Sequence, residues 1–198
     1  PHNLRELTEA LVLEAENPDC TVDDLLARMP GPDFPTGALL CGADGVRSYY
    51  QTGRGHLVLR ATAEFEETKR GMRIVVTEIP YQVNKAMLIE RIADLVREGR
   101  LQGITDLRDE SSREGMRIVI ELRRDVAEDV ILNQLYKMTP LQTTFGVNLL
   151  ALVNGRPQTL SLKEAMRHFI EFRKEVVIRR TIYDLAQAEA RAHILEGF

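Results

Sequence analysis

The chain has 198 residues, 44 % hydrophobic and 28 % charged, with a formal net charge of −4. This is the composition of an ordinary globular protein, long enough for one large or two small cores. It excludes a transmembrane helix, because no apolar run approaches ~20 residues, and a disulfide framework, because Cys20 and Cys41 are the only cysteines.

The first 35 residues carry eight acidic residues against Arg5 and Arg28, while the remainder holds 24 basic and 22 acidic residues. Bulk charge therefore neither demands nor excludes nucleic-acid binding, which has to come from a local face. Two short helices are expected here. Asn3 with Glu6 opens the first, and Thr21 with Asp24 opens a second over Val22–Met29. Pro30-Gly31-Pro32-Asp33-Phe34-Pro35 then bars regular structure and marks a boundary.

From Arg47 to Thr62 there are three arginines, one histidine and no acid. Gly53 and Gly55 flank Arg54, leaving the backbone free to approach a surface closely. Tyr49 and Tyr50 offer flat faces or phenolic donors beside them. The combination suits a phosphodiester backbone, with Arg54 and Arg60 as charge-assisted donors. As a turn, Gly53-Arg54-Gly55 also fits a plain hairpin.

Strands are expected over Leu57–Phe65 and Met72–Ile79 around a polar turn, then an amphipathic helix over Lys85–Arg97. Strands follow at Ile104–Arg108 and Met116–Leu122, then a helix over Val126–Met138 and a strand over Gly146–Val153. Asn154-Gly155 is a hairpin signal. The order from Met72 to Val153 is βαββαβ, a ferredoxin-like α+β fold with an antiparallel sheet and both helices on one face. Its other face must be covered by a neighbour or be functional, and with a basic hairpin beside it the open face suits a large, flat, anionic ligand. Asn84 reads as a helix cap, and Lys85 behind it opposes the helix dipole unless an anion sits there. Ser161 with Glu164 opens a long helix that runs to the end, with an apolar stripe seeking a second helix. The chain reads as a piece of a longer protein.

Eight segments, taken together, carry a resemblance. They are Pro1-His2-Asn3-Leu4, Pro30-Gly31-Pro32-Asp33-Phe34-Pro35-Thr36, Thr52-Gly53-Arg54-Gly55, Glu78-Ile79-Pro80-Tyr81-Gln82-Val83-Asn84-Lys85, Arg108-Asp109-Glu110-Ser111, Gly115-Met116-Arg117-Ile118-Val119-Ile120-Glu121, Leu141-Gln142-Thr143-Thr144-Phe145-Gly146-Val147-Asn148 and Arg191-Ala192-His193-Ile194-Leu195. In this order, over essentially the whole chain, they resemble the A-type subunit of bacterial type IIA DNA topoisomerases, the gyrase and topoisomerase IV group.

The resemblance implies three parts: residues 1–35 as the exit of the winged-helix breakage-reunion domain, 36–160 as an α/β tower domain, and 161–198 as the first helix of a coiled-coil arm. It implies a cytoplasmic enzyme that cuts one duplex, passes another through and reseals. The A-type subunits pair as a homodimer and join two B-type ATPase subunits in an A2B2 heterotetramer, where the B-type partner holds Mg²⁺ and hydrolyses ATP. The catalytic tyrosine of the family sits in an Arg-Tyr-Thr setting, and none of Tyr49, Tyr50, Tyr81, Tyr136 or Tyr183 does. No catalytic residue and no metal ligand is assigned to this chain. With that context, Arg47, Arg54, His56, Arg60 and Lys85 are the candidate contacts to double-stranded DNA. His56 departs from the fixed cation expected there, since histidine is mostly neutral near pH 7.

Two other readings compete. A coiled-coil-bearing scaffold that binds RNA or protein would, as an RNA reader, want aromatics on the central strands, and Ile104–Arg108 and Met116–Leu122 contain none. An autonomous hydrolase would need a nucleophile–base or metal constellation, and none is present.

Overall fold

Apolar residues recurring at i, i+3 and i+4 and apolar–polar alternation divide the chain into fifteen elements, which a computed structural model describes for residues 1–197. In chain order they are α1 (Leu4–Glu16), α2 (Val22–Arg28), β1 (Leu39–Cys41), α3 (Asp44–Thr52), β2 (Arg54–Arg60), β3 (Thr62–Thr68), β4 (Gly71–Glu78) and α4 (Lys85–Arg97). There follow β5 (Ile104–Asp109), β6 (Ile118–Leu122), α5 (Glu128–Met138), β7 (Gln142–Asn148), β8 (Leu150–Val153), β9 (Arg156–Thr159) and α6 (Leu162–Glu196). The fold is α+β, as expected. Two compact units share these elements: residues 1–3, 31–46 and 55–147 form the first, and residues 4–30, 47–54 and those from 148 onward the second.

In the first unit, four antiparallel strands stand in the order β3-β4-β6-β5. Ile74 and Val76 of β4 and Ile118, Ile120 and Leu122 of β6 turn to one face. There they pack with Leu88, Ile92 and Leu95 of α4 and Ile131 and Leu135 of α5. Both helices therefore lie on that face, where the 3.6-residue and two-residue periods place their apolar sides. Asn84 caps α4 as read, its Oδ1 accepting from the Met87 amide at 3.1 Å.

The strand order corrects the ferredoxin-like expectation at one edge. The position next to β4 that Gly146–Val153 would fill belongs to β3. A hairpin through Lys69-Arg70 closes a far shorter loop than a return from residue 146. The segment expected as one strand breaks at Leu149. Its first part extends back to Gln142 as β7 and pairs with β2, while its second part, β8, pairs with β9. Asn154 and Gly155 make that turn with φ of 50° and 76°, as a type I′ hairpin requires. Leu57–Phe65 likewise breaks, at the fully buried Ala61, whose amide donates to the Leu141 carbonyl at 2.7 Å. Its two halves enter different sheets.

In the second unit, Glu14 on α1 is almost fully buried and accepts from Arg167 Nε of α6 at 2.8 Å and from the Cys20 thiol at 3.1 Å. Lys163 Nζ lies 3.5 Å from the same carboxylate and donates to the carbonyls of Pro18 and Cys20 at 2.9 and 2.5 Å. This clasp satisfies a carboxylate that burial would otherwise penalise and fixes the first turns of α6. Burial and the neighbouring Glu14 push the Cys20 thiol up to about 11. Capping boxes at Thr21 and Ser161 open α2 and α6, and α6 continues unbroken for 35 residues, roughly 52 Å at 1.5 Å per residue. Only Leu162 and Met166 of it are buried.

Candidate nucleic-acid interface

The burial of β2 alternates along its length. Gly55, Leu57 and Leu59 turn inward, while Arg54, His56 and Arg60 are exposed, with Val58 between them half-buried. A period of two thus gathers the cationic side chains of an acid-free stretch on one face. β1 lies antiparallel on one side, Leu39 opposite Arg60 and Cys41 opposite Val58. On the other side, Ala61 donates to the Leu141 carbonyl and Leu149 to the Gly53 carbonyl. The eight-residue spacing is equal on both strands, so Gln142 stands opposite Arg60, Thr144 opposite Val58 and Gly146 opposite His56. The exposed face of this three-stranded sheet, β1-β2-β7, carries no acid.

Arg60 is pre-oriented on that face. Its Nε donates to Gln142 Oε1 at 2.6 Å, and its guanidinium carbon lies 5.0 Å from the centroid of the Tyr136 ring, a cation–π contact. Its two terminal nitrogens have no hydrogen-bond partner among the described residues. Arg54 has no ion pair among them either. Its own carbonyl accepts from Ser48 and Thr52, so its backbone is tied down while its side chain projects.

The other candidates are differently placed. Arg47, on α3, is held by Asp23 of α2 at 2.5 Å. Lys85 Nζ sits 2.8 Å from Asp109 of β5, whose carboxyl is drawn down to about 2 by Lys85 first and Ser111 second. The anion that the start of α4 calls for is thus supplied from within the chain, and among the described residues no hydrogen bond or ion pair joins Lys85 to the β2 row.

Tyr49 and Tyr50 do not offer faces to a ligand. They lie in α3, a helix that the sequence pattern does not announce, and with Val46 they occupy its inward side at i, i+3 and i+4. The rings meet edge to face at 4.7 Å, and the Tyr50 hydroxyl donates to the Met29 carbonyl at 2.9 Å. Gly53 likewise serves the chain itself: at φ 80°, a Cβ there would lie 2.3 Å from the Leu160 carbonyl oxygen.

The second face of the four-stranded sheet is not the open anionic-ligand platform that the sequence predicts, because its charges are already matched. Arg73 pairs with Glu66 and Glu121, Arg117 with Glu66 and Glu110, and Arg108 with Asp106, Glu110 and Glu121. Three guanidiniums meet four carboxylates, leaving this face slightly negative. Hydrogen bonds from the arginines hold Glu66, Asp106 and Glu110 below the usual carboxylate range.

The strand β7, which completes the β1-β2-β7 face, is not among the candidates that the sequence offers. Its signal was present: Gln142, Thr144, Gly146 and Asn148 alternate with Thr143, Phe145 and Val147. Among the described residues no three His, Cys, Asp or Glu side chains converge as a metal site needs, and no helix is long and apolar enough to cross a membrane.

The DNA gyrase A subunit of Halalkalibacterium halodurans is 57 % identical over 197 residues, that of Clostridium acetobutylicum 54 % over 198, and that of Staphylococcus epidermidis 56 % over 199. Each alignment covers all of this chain and 22–24 % of the relative, so the chain spans about a quarter of the length of these proteins. The sequence also matches the family model of the DNA gyrase/topoisomerase IV A subunit, across residues 1–198. With its whole length matched and the motifs in place, the chain belongs to the family of DNA gyrase and topoisomerase IV A subunits.

Proposed function

We propose that this chain is the part of a type IIA topoisomerase breakage-reunion subunit that holds the duplex to be cut, through the β1-β2-β7 face. The observation that supports this is a row of exposed cations on an acid-free sheet face, with Arg60 oriented by Gln142 and Tyr136 and its terminal nitrogens open. Such a face grips phosphates and fixes the register of a duplex without reading its bases. Arg54, His56 and Arg60 do this work; Arg47 and Lys85 are occupied by Asp23 and Asp109. Residues 36–160 serve as the tower and 161–198 as the first helix of the arm. The nucleophilic tyrosine is supplied elsewhere in the full-length protein. Mg²⁺ and ATP are handled by the B-type partner of a cytoplasmic A2B2 assembly in which two A-type subunits pair. Among the described residues no side-chain cluster fits a metal ion, and the grip on the duplex needs none.

The test is the salt dependence of duplex binding by the full-length protein in complex with its partner. Each lost phosphate contact lowers the slope of log K against log salt by about 0.9. Arg54→Ala with Arg60→Ala should flatten it by up to about 1.8, equally for all sequences. Lys85→Ala should leave it unchanged. An unchanged slope in a folded Arg54→Ala/Arg60→Ala variant contradicts the proposal.

A further inference from the structure

A groove of about 700 Å³ opens between the first turns of α4, the last turn of α5 and the start of β7. Its lining includes the buried Leu88, the exposed Met87 and Pro140, the polar Gln142, and the cationic Arg91 and Lys137. No aspartate or glutamate lines it. Arg91 and Lys137 are exposed and have no ion pair among the described residues, whereas Arg97, Arg108 and Arg117 of the same unit are each paired with an acid. Two unpaired cations beside an acid-free cavity form a site for an anion.

Gln142 identifies the occupant. It lines the groove and also accepts from Arg60, so one side chain belongs to both the groove and the β2 row. We propose that the groove is a second phosphodiester contact, taking the backbone of the same duplex beyond the stretch gripped by Arg54, His56 and Arg60. This rests on the proposed function and extends it: the duplex is held along a strip, with Gln142 as the shared post between two clusters of cations. Met87, 68 % exposed at the helix start, packs against the sugar edge while Arg91 and Lys137 take phosphate oxygens.

The experiment uses the full-length protein with its partner and a fluorescent duplex, titrated at several salt concentrations. Arg91→Gln with Lys137→Gln should lower the salt slope by up to about 1.8, additively with the loss from Arg54→Ala and Arg60→Ala. If the Arg54/Arg60 variant flattens the slope and the Arg91/Lys137 variant, folded by circular dichroism, does not, the groove holds no DNA while the β2 face still does. If neither changes it, both readings fall. A second readout separates a duplex from a small anion. In a Met87→Cys variant, maleimide labelling at position 87 should slow when duplex is added and stay unchanged with inorganic phosphate or a nucleoside triphosphate. Protection by the small anions, with none from the duplex, would make the groove a small-anion pocket and overturn the inference.

Discussion

Gly53 and Gly42 share a left-handed backbone, with φ of 80° and 84°, yet their surroundings differ. A Cβ at Gly42 would meet nothing within 4 Å, whereas at Gly53 it would lie 2.3 Å from a backbone oxygen of Leu160. Gly42→Ala should therefore cost only the left-handed conformation, about 1–2 kcal/mol. Gly53→Ala adds a clash with backbone that cannot rotate away, and should cost at least about 2 kcal/mol more. Urea denaturation of the two variants measures the difference, and equal losses would mean that the close approach carries no energy. The Gly53-Arg54-Gly55 motif was legible in the sequence, but its purpose was not. A positive φ can be guessed from glycine, while an approach by a residue more than a hundred positions away leaves no local mark. The same holds for Tyr49 and Tyr50: an aromatic pair beside arginines looks like a ligand platform until the helical period assigns both rings to the inside. Lys85 was legible in kind, since a cation at a helix start needs an anion, but only the fold could show that Asp109 supplies it.

Among elements, the four-stranded sheet separates its two faces by chemistry. One face packs α4 and α5, and the other carries the arginine–carboxylate network of Arg73, Arg108 and Arg117. The carboxylates of Glu66, Asp106 and Glu110 are held below their usual range. Their contribution to stability is thus complete above the ordinary carboxylate pKa and lost as pH falls through the lowered values. The melting temperature should fall on acidification below about pH 5, and Glu66→Gln should make that fall shallower while lowering the plateau at neutral pH. An identical acid profile for the variant would show that the network is electrostatically idle. Alternation revealed most of these strands and the 3.6-residue period both long helices of the sheet layer. What it did not reveal was where a strand changes sheet. Leu57–Phe65 and Gly146–Val153 each read as one strand, yet each breaks, at Ala61 and Leu149, and beyond the break the chain takes a different neighbour: β3 pairs with β4 and β8 with β9. Pairing partners are set by loop closure and competition between edges, and neither is written in a local pattern.

At the scale of the molecule, an acidic chain presents one sheet face on which arginine and histidine stand without a single acid. The family was legible from motifs in order, and the composition of the face from a period of two along β2. The contribution of β7 required the register that only the fold provides. The proposed function requires that this face, and not the ion-paired face of the other sheet, lies against DNA. The most direct measurement places a photo-crosslinking side chain at Thr144, exposed opposite Val58, or at Glu64, exposed on β3 beside the arginine–carboxylate network, in the full-length protein bound to duplex. Irradiation should join Thr144 to the duplex and leave Glu64 free. Crosslinks from Glu64 with none from Thr144 would put the duplex on the ion-paired face and rule out the β1-β2-β7 face as its seat.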